Sequence, residues 1–186
     1  PESFGANIIP FEQDPVSPNT MYMGYSQVYK STNSGGSWAP TSSLSGGYVH
    51  ELKIAASNNQ YIYASKDAIL HRTTDGGASW TTLSGISSRI NSIAVDPEDE
   101  QRVAVVTSSK VYVSTNAGNT WTNYTKNLPV GTAYYCAVWQ KGVDNGLYVG
   151  GNGFVSYIDD NMTNYVDFLT ALPNVRVYEL EIQYVS

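Results

Sequence analysis

The chain has one cysteine, two histidines and ten basic side chains among 186 residues, and each scarcity removes a class of function. A lone Cys136 forms no intrachain disulfide. It sits in the apolar run Ala133–Val138 with no histidine near it in sequence, so it reads as a buried, inert thiol. His50 and His71 are too few and too scattered for a Ser-His-Asp arrangement, and no zinc signature or phosphate loop is present. Charged residues make up only 14%, with a net charge of −6. Without a basic patch, neither nucleic acid nor an anionic membrane surface is an expected partner. No run approaches the ~18 apolar residues of a membrane helix, so no membrane insertion is expected, and no signal-peptide pattern is visible. We expect no cofactor and no metal. The chain opens on Pro1 rather than Met, which suggests a processed or excised piece of a larger chain or complex.

What the chain does have is tyrosine (15), glycine (16) and one motif that returns at a fixed interval. Ser31-Thr32-Asn33-Ser34-Gly35-Gly36-Ser37-Trp38 reappears as Thr73-Thr74-Asp75-Gly76-Gly77-Ala78-Ser79-Trp80, and again as Ser114-Thr115-Asn116-Ala117-Gly118-Asn119-Thr120-Trp121. The tryptophans lie 42 and 41 residues apart. Short strands and glycine turns at a period of about 40–50 residues signify a β-propeller, one repeat per blade. The Asp or Asn side chain is suited to capping backbone N–H groups of the turn. Gly35, Gly77 and Gly118 allow positive φ, and each Trp is placed to fold back over the turn. Asn replaces Asp in two copies and keeps the capping oxygen, so the motif reads as a structural staple without chemistry.

The motif resembles the Asp-box, or BNR repeat, with the pattern Ser/Thr-x-Asp-x-Gly-x-Ser/Thr-Trp. The resemblance covers nearly the whole chain. It implies an all-β propeller of four-stranded antiparallel blades in the sortilin/sialidase-like superfamily, a group that includes xyloglucan-degrading glycosidases and many secreted bacterial propellers.

Reading outward from the motifs gives units of approximately 7–46, 47–87, 88–130 and 131–174. In the second unit, Glu51–Ala56, Tyr61–Ser65, Ala68–Thr73 and Trp80–Leu83 are the expected strands. The fourth unit is degraded: Asp160 takes the Asp position and Tyr165 the Trp position, 44 residues after Trp121, while Met162 replaces the turn glycine and Ile158 the leading Ser. Asp159-Asp160-Asn161 lacks the rest of a calcium loop. Residues 175–186 parallel the start of the second unit, Val177-Tyr178-Glu179-Leu180-Glu181-Ile182 against Val49-His50-Glu51-Leu52-Lys53-Ile54, and read as the first strand of a further or closing blade. The expected architecture is a partial ring of about four blades plus one strand. The alternative is a closed four-blade ring whose last strand pairs with the N-terminal one. The segment Leu172-Pro173-Asn174-Val175 and the strand after it resemble the end region of large secreted propellers in gliding, surface-colonising bacteria, which implies an extracellular or outer-surface location.

Catalysis is weakly supported. A sialidase needs an arginine triad, and the chain has only Arg72, Arg89, Arg102 and Arg176, of which Arg89 and Arg176 precede first strands at equivalent positions and are expected to face the central channel. Glycoside hydrolysis needs two carboxylates across a cleft. Glu51, Glu179 and Glu181 lie on first strands, but Glu51 and Glu179 share one repeat position, which makes them a structural feature more simply. We therefore read the chain as a non-catalytic module that binds a protein or polysaccharide ligand. Trp139, outside any motif copy, is expected to reach the channel rim, with Tyr48, Tyr134 and Tyr135 at comparable levels. The alternative is one part of a two-propeller polysaccharide glycoside hydrolase. Asn123 and Asn161 fit the N-glycosylation pattern, which carries no meaning in a bacterial source.

Overall fold

The computed structural model describes residues 9–142, 144–169, 173 and 175–184. The expected start at residue 7, together with Leu172 and Asn174, lies outside the described residues. Every described strand belongs to one of four antiparallel sheets, each a meander of four strands in chain order. The first holds β1 (Phe11–Gln13), β2 (Met21–Gly24), β3 (Val28–Ser31) and β4 (Ala39–Pro40); the second holds β5 (Glu51–Ile54), β6 (Ile62–Lys66), β7 (Ile69–Thr73) and β8 (Thr81–Leu83). The third holds β9 (Ile90–Val95), β10 (Val103–Thr107), β11 (Val111–Ser114) and β12 (Thr122–Asn123); the fourth holds β13 (Tyr134–Trp139), β14 (Leu147–Gly151), β15 (Phe154–Ile158) and β16 (Val166–Asp167). No helix is present among the described residues, and none there is long and apolar enough to cross a membrane.

The middle strands read as continuous apolar runs because both of their faces are covered. Val103, Ala104, Val105 and Val106 of β10 are all buried, as are Ile62, Tyr63 and Ala64 of β6. Alternate residues on one strand pack toward the preceding and the following sheet, the pattern expected of strands stacked face to face. The fourth strands are short and exposed, so they form the outer edge. First strands of successive sheets are neighbours, β1 beside β5, β5 beside β9, and β9 beside β13. The sheets are therefore blades around a common axis, with first strands innermost.

Residues 177–184 complete the sequence of first strands without forming a ladder. Val177 N–H donates to the Gly151 carbonyl at 3.0 Å, as Val49 N–H donates to Tyr25 O at 2.8 Å in the equivalent register. A Cβ on Gly150 would meet Val177 at 2.8 Å, just as one on Gly24 would meet Val49 at 2.5 Å. The segment therefore docks on the fourth blade as the second blade docks on the first. Among the described residues it pairs with no strand, the N-terminal β1 included, and only Arg176 makes an isolated bridge, to Asn152.

Candidate functional site

Two kinds of structure stand out, the joints between blades and the concave groove along the first strands. The recurrent turns build the joints. In each of the three regular copies the leading hydroxyl accepts the turn glycine's N–H: Gly35 to Ser31 Oγ at 2.9 Å, Gly77 to Thr73 Oγ1 at 3.0 Å, and Gly118 to Ser114 Oγ at 2.8 Å. Asn33, Asp75 and Asn116 then accept the N–H four residues on, each at 2.9 Å. The two amides donate Nδ2–H to Ser37 and Thr120, whereas the Asp75 carboxylate accepts from Ser79 Oγ. Hydrogen bonds, those from Ser79 foremost, hold Asp75 down to about 2.

The aromatic residues of these turns reach the preceding blade. Trp80 Nε1–H donates to Thr41 Oγ1 at 3.1 Å, and Trp121 lies against Gly85 in one apolar cluster with Leu83. In the fourth unit, Tyr165 meets Tyr124 edge-on at 6.3 Å and exchanges backbone hydrogen bonds with the Asn127 side chain. Thr41, Leu83 and Tyr124 each stand three residues after their own blade's turn aromatic. A receiver of the following blade's aromatic thus occupies one repeat position. Basic residues reinforce the joint: Lys30 Nζ donates to Gly76 O and Arg72 Nη1 to Ala117 O, at 3.3 and 2.6 Å, both one residue before a turn's Ser or Thr. That dipeptide, Lys30-Ser31 and Arg72-Thr73, was the readable sequence signal for this contact.

The fourth turn departs from the others. Asp160 makes no bond to the N–H four residues on. Its carboxylate takes Arg102 of the third blade at 2.5 and 3.2 Å and Asn145 Nδ2 at 2.6 Å. The pull of these donors outweighs burial and lowers its pKa.

The groove, about 460 Å³, runs across the first strands and is lined by Glu12, Glu51, Lys53, Cys136, Tyr178 and Glu179 among others. Lys53 pairs with Glu12 of the preceding blade at 2.5 Å. Glu51 faces the Ile93 backbone N–H of the following blade, and burial raises its pKa to about 7. Ser92, in the same repeat position, accepts the Ala137 N–H at 3.4 Å, and Cys136 donates its thiol hydrogen to Val177 O. The position that carries Glu51 is thus a clasp between neighbouring first strands. Burial pushes the Cys136 thiol up to about 12, so it stays protonated and unreactive. No group of three His, Cys, Asp or Glu side chains is placed to hold a metal among the described residues.

The named candidate binding residues divide. Tyr48 is exposed beside Tyr25, ring centroids 5.2 Å apart, and Arg89 is exposed at the position equivalent to Tyr48. Arg176 is exposed and donates to the Tyr178 hydroxyl, and Tyr178 stacks on Tyr135 at 4.8 Å. The other two lie inside. Trp139 is 3% exposed, with the Arg102 guanidinium 4.8 Å over its ring, so it does not reach the rim. It ends β13 at the level of Ile54 and Val95, where side chains pack against a neighbouring blade. Tyr134 is 2% exposed, with its hydroxyl donating to Pro129 O. Both were expected at the rim, but both lie on β13, where the pleat turns them inward.

No family model matches the chain. An ancestral GH74 enzyme is similar over 83% of this chain and 23% of its own, at 26% identity and a TM-score of 0.72. The WD40 repeats of RRP9 match 88% of this chain and 51% of theirs, at 13% identity and a TM-score of 0.68. YCF48 bound to D1 peptide matches 87% of this chain and 55% of its own, at 13% identity and a TM-score of 0.62. The chain thus spans about a quarter of the GH74 enzyme and about half of the RRP9 and YCF48 chains. The class of protein is a β-propeller, seen here as four consecutive blades of a partial ring.

Proposed function

We propose that this chain is a segment of a secreted or cell-surface β-propeller of the Asp-box (BNR), sortilin-like kind, and that it acts as a non-catalytic module for protein or glycan binding in adhesion. The units 7–46, 47–87, 88–130 and 131–174, with 175–186 opening a further blade, are its repeats. The observation that carries this reading is the division of labour in the groove. Glu12 and Glu51 there work as clasps between blades, Glu12 with Lys53 and Glu51 with the Ile93 backbone, while Glu179 lies exposed. Exposed rings are presented by Tyr48, paired with Tyr25, and by Tyr178, which lines the groove and pairs with Tyr135. Such rings give rigid contact area at low entropy cost, and their hydroxyls suit sugar or peptide polar groups.

Arrays of polysaccharides and of extended peptides, probed with the labelled chain, test the reading. Binding that weakens in Tyr178→Ala and Tyr48→Ala, at unchanged melting temperature, is the expected result. Binding indifferent to both substitutions, or no binding on either array, counts against it.

A second reading has specific support in the similarity to a GH74 enzyme and in a groove carboxyl poised near neutral pH. In that reading the chain is one part of a two-propeller polysaccharide hydrolase, and turnover by the intact protein separates the two.

A further inference from the structure

Every internal joint has two halves, a turn aromatic from one blade and a receiver on the blade before it. Among the described residues, the two end faces carry unmated halves. A Cβ on Gly77 would meet Thr41 at 2.8 Å and one on Gly118 would meet Leu83 at 2.5 Å, but one on Gly35 would meet only its own Trp38. At the opposite end the receiver position, three residues after Tyr165, is Phe168, which is 53% exposed. Beside it stands Tyr148, in the register of Tyr22 and Tyr63. Those two are fully buried under the following blade and donate their hydroxyls to it, Tyr22 to Gly76 O and Tyr63 to Glu100 O. Tyr148 is only half-buried and donates to Gln140 within its own blade. An apolar groove of about 300 Å³ runs from Phe168 and Leu169 past Tyr148 and Val138 to Leu180 and Ile182.

We propose that this face is the docking site for strands two to four of one further blade of the same repeat, for which residues 177–184 already supply the first strand. The argument is continuity with an interface built three times in the molecule. Segment 177–184 holds the first-strand place by the same backbone bond as Val49, and its edge, unpaired among the described residues, is a template for an incoming strand. The incoming turn aromatic seats on Phe168, as Trp80 seats on Thr41. The preceding turn carbonyl accepts from Tyr148, as Gly76 accepts from Tyr22. A whole second copy fits less well, because its own β1 would need the place that 177–184 holds.

The test appends a duplicate of residues 59–85 directly after Ser186, which keeps the register of the second blade. Amide exchange of residues 177–184 is followed by mass spectrometry at two protein concentrations, with and without the extension. Exchange there is expected to slow by about tenfold or more in the extended chain, independently of concentration. Phe168→Glu should restore fast exchange in the extended chain while leaving the melting temperature of the 186-residue chain unchanged. Phe168→Leu, an apolar receiver like Leu83, should keep the protection. Exchange unaltered by the extension, or protection that survives Phe168→Glu, overturns the proposal. So does concentration-dependent protection in the unextended chain, which would make a second copy the occupant.

Discussion

The indole N–H of Trp80 donates to Oγ1 of Thr41 across the boundary between the first two blades, at 3.1 Å. A turn staple within one blade is thereby also a bolt to the blade before it. Thr41→Val keeps the shape and removes the acceptor. It is expected to destabilise by about 0.5–1.5 kcal/mol in a denaturant titration, whereas Thr41→Ser should be nearly neutral. A loss in Thr41→Ser with none in Thr41→Val would show that the methyl contact, and not the hydrogen bond, is what matters.

Gly35 and Gly118 share a φ of +84° but differ in what lies beyond them. Alanine at either position carries left-handed strain of about 1–2 kcal/mol. At Gly118 the new methyl would also meet Leu83, which adds overpacking of about 1–3 kcal/mol. Gly118→Ala should therefore unfold at distinctly lower denaturant than Gly35→Ala, and Leu83→Ala should relieve part of the difference. Identical midpoints for the two alanine variants would remove Leu83 from the joint.

Asn116→Ala deletes the side-chain acceptor for the Thr120 N–H. The cost of a lost cap is about 0.5–2 kcal/mol, and any ligand binding by the folded protein should be unchanged. A loss of affinity with no fall in melting temperature would assign the residue a direct role in binding.

Glu51 and Asp75 give stability opposite dependences on pH. The folded chain holds the Glu51 proton up to about 7 against an ordinary value of 4.5, so it binds more protons than the unfolded chain between those values. That contribution is full below about 4.5 and is lost as pH rises to about 7. Asp75, held at about 2, contributes stability above its ordinary value of 3.8 that is lost as pH falls through 2. Glu51→Gln should raise the melting temperature at pH 8 and leave it little changed at pH 4.5. A gain confined to low pH would invert the assignment.

The repeats made the blades legible, because three copies of one turn fix where hairpins fall and apolar runs between them fix the strands. The expected strand Glu51–Ala56 differs from the observed β5 only at its end, which falls at Ile54. The joints were hidden, since a receiver three residues past each tryptophan is Thr in one blade, Leu in the next and Tyr in the third. Only packing makes them equivalent. Asp160 was legible as a position and not as a role, because its partner Arg102 lies on another blade. Trp139 illustrates the limit most clearly. An aromatic residue at a strand end reads the same whether the pleat points it to the rim or under Arg102.

Turnover is the measurement that tests the account most directly. The purified intact protein would be incubated with a polysaccharide panel, with reducing ends assayed alongside binding. The account predicts binding with no product, weakened by Tyr178→Ala in a protein that still melts normally. Sustained product release that disappears in a Glu51→Gln/Glu179→Gln double variant would contradict it and make the groove carboxylates catalytic.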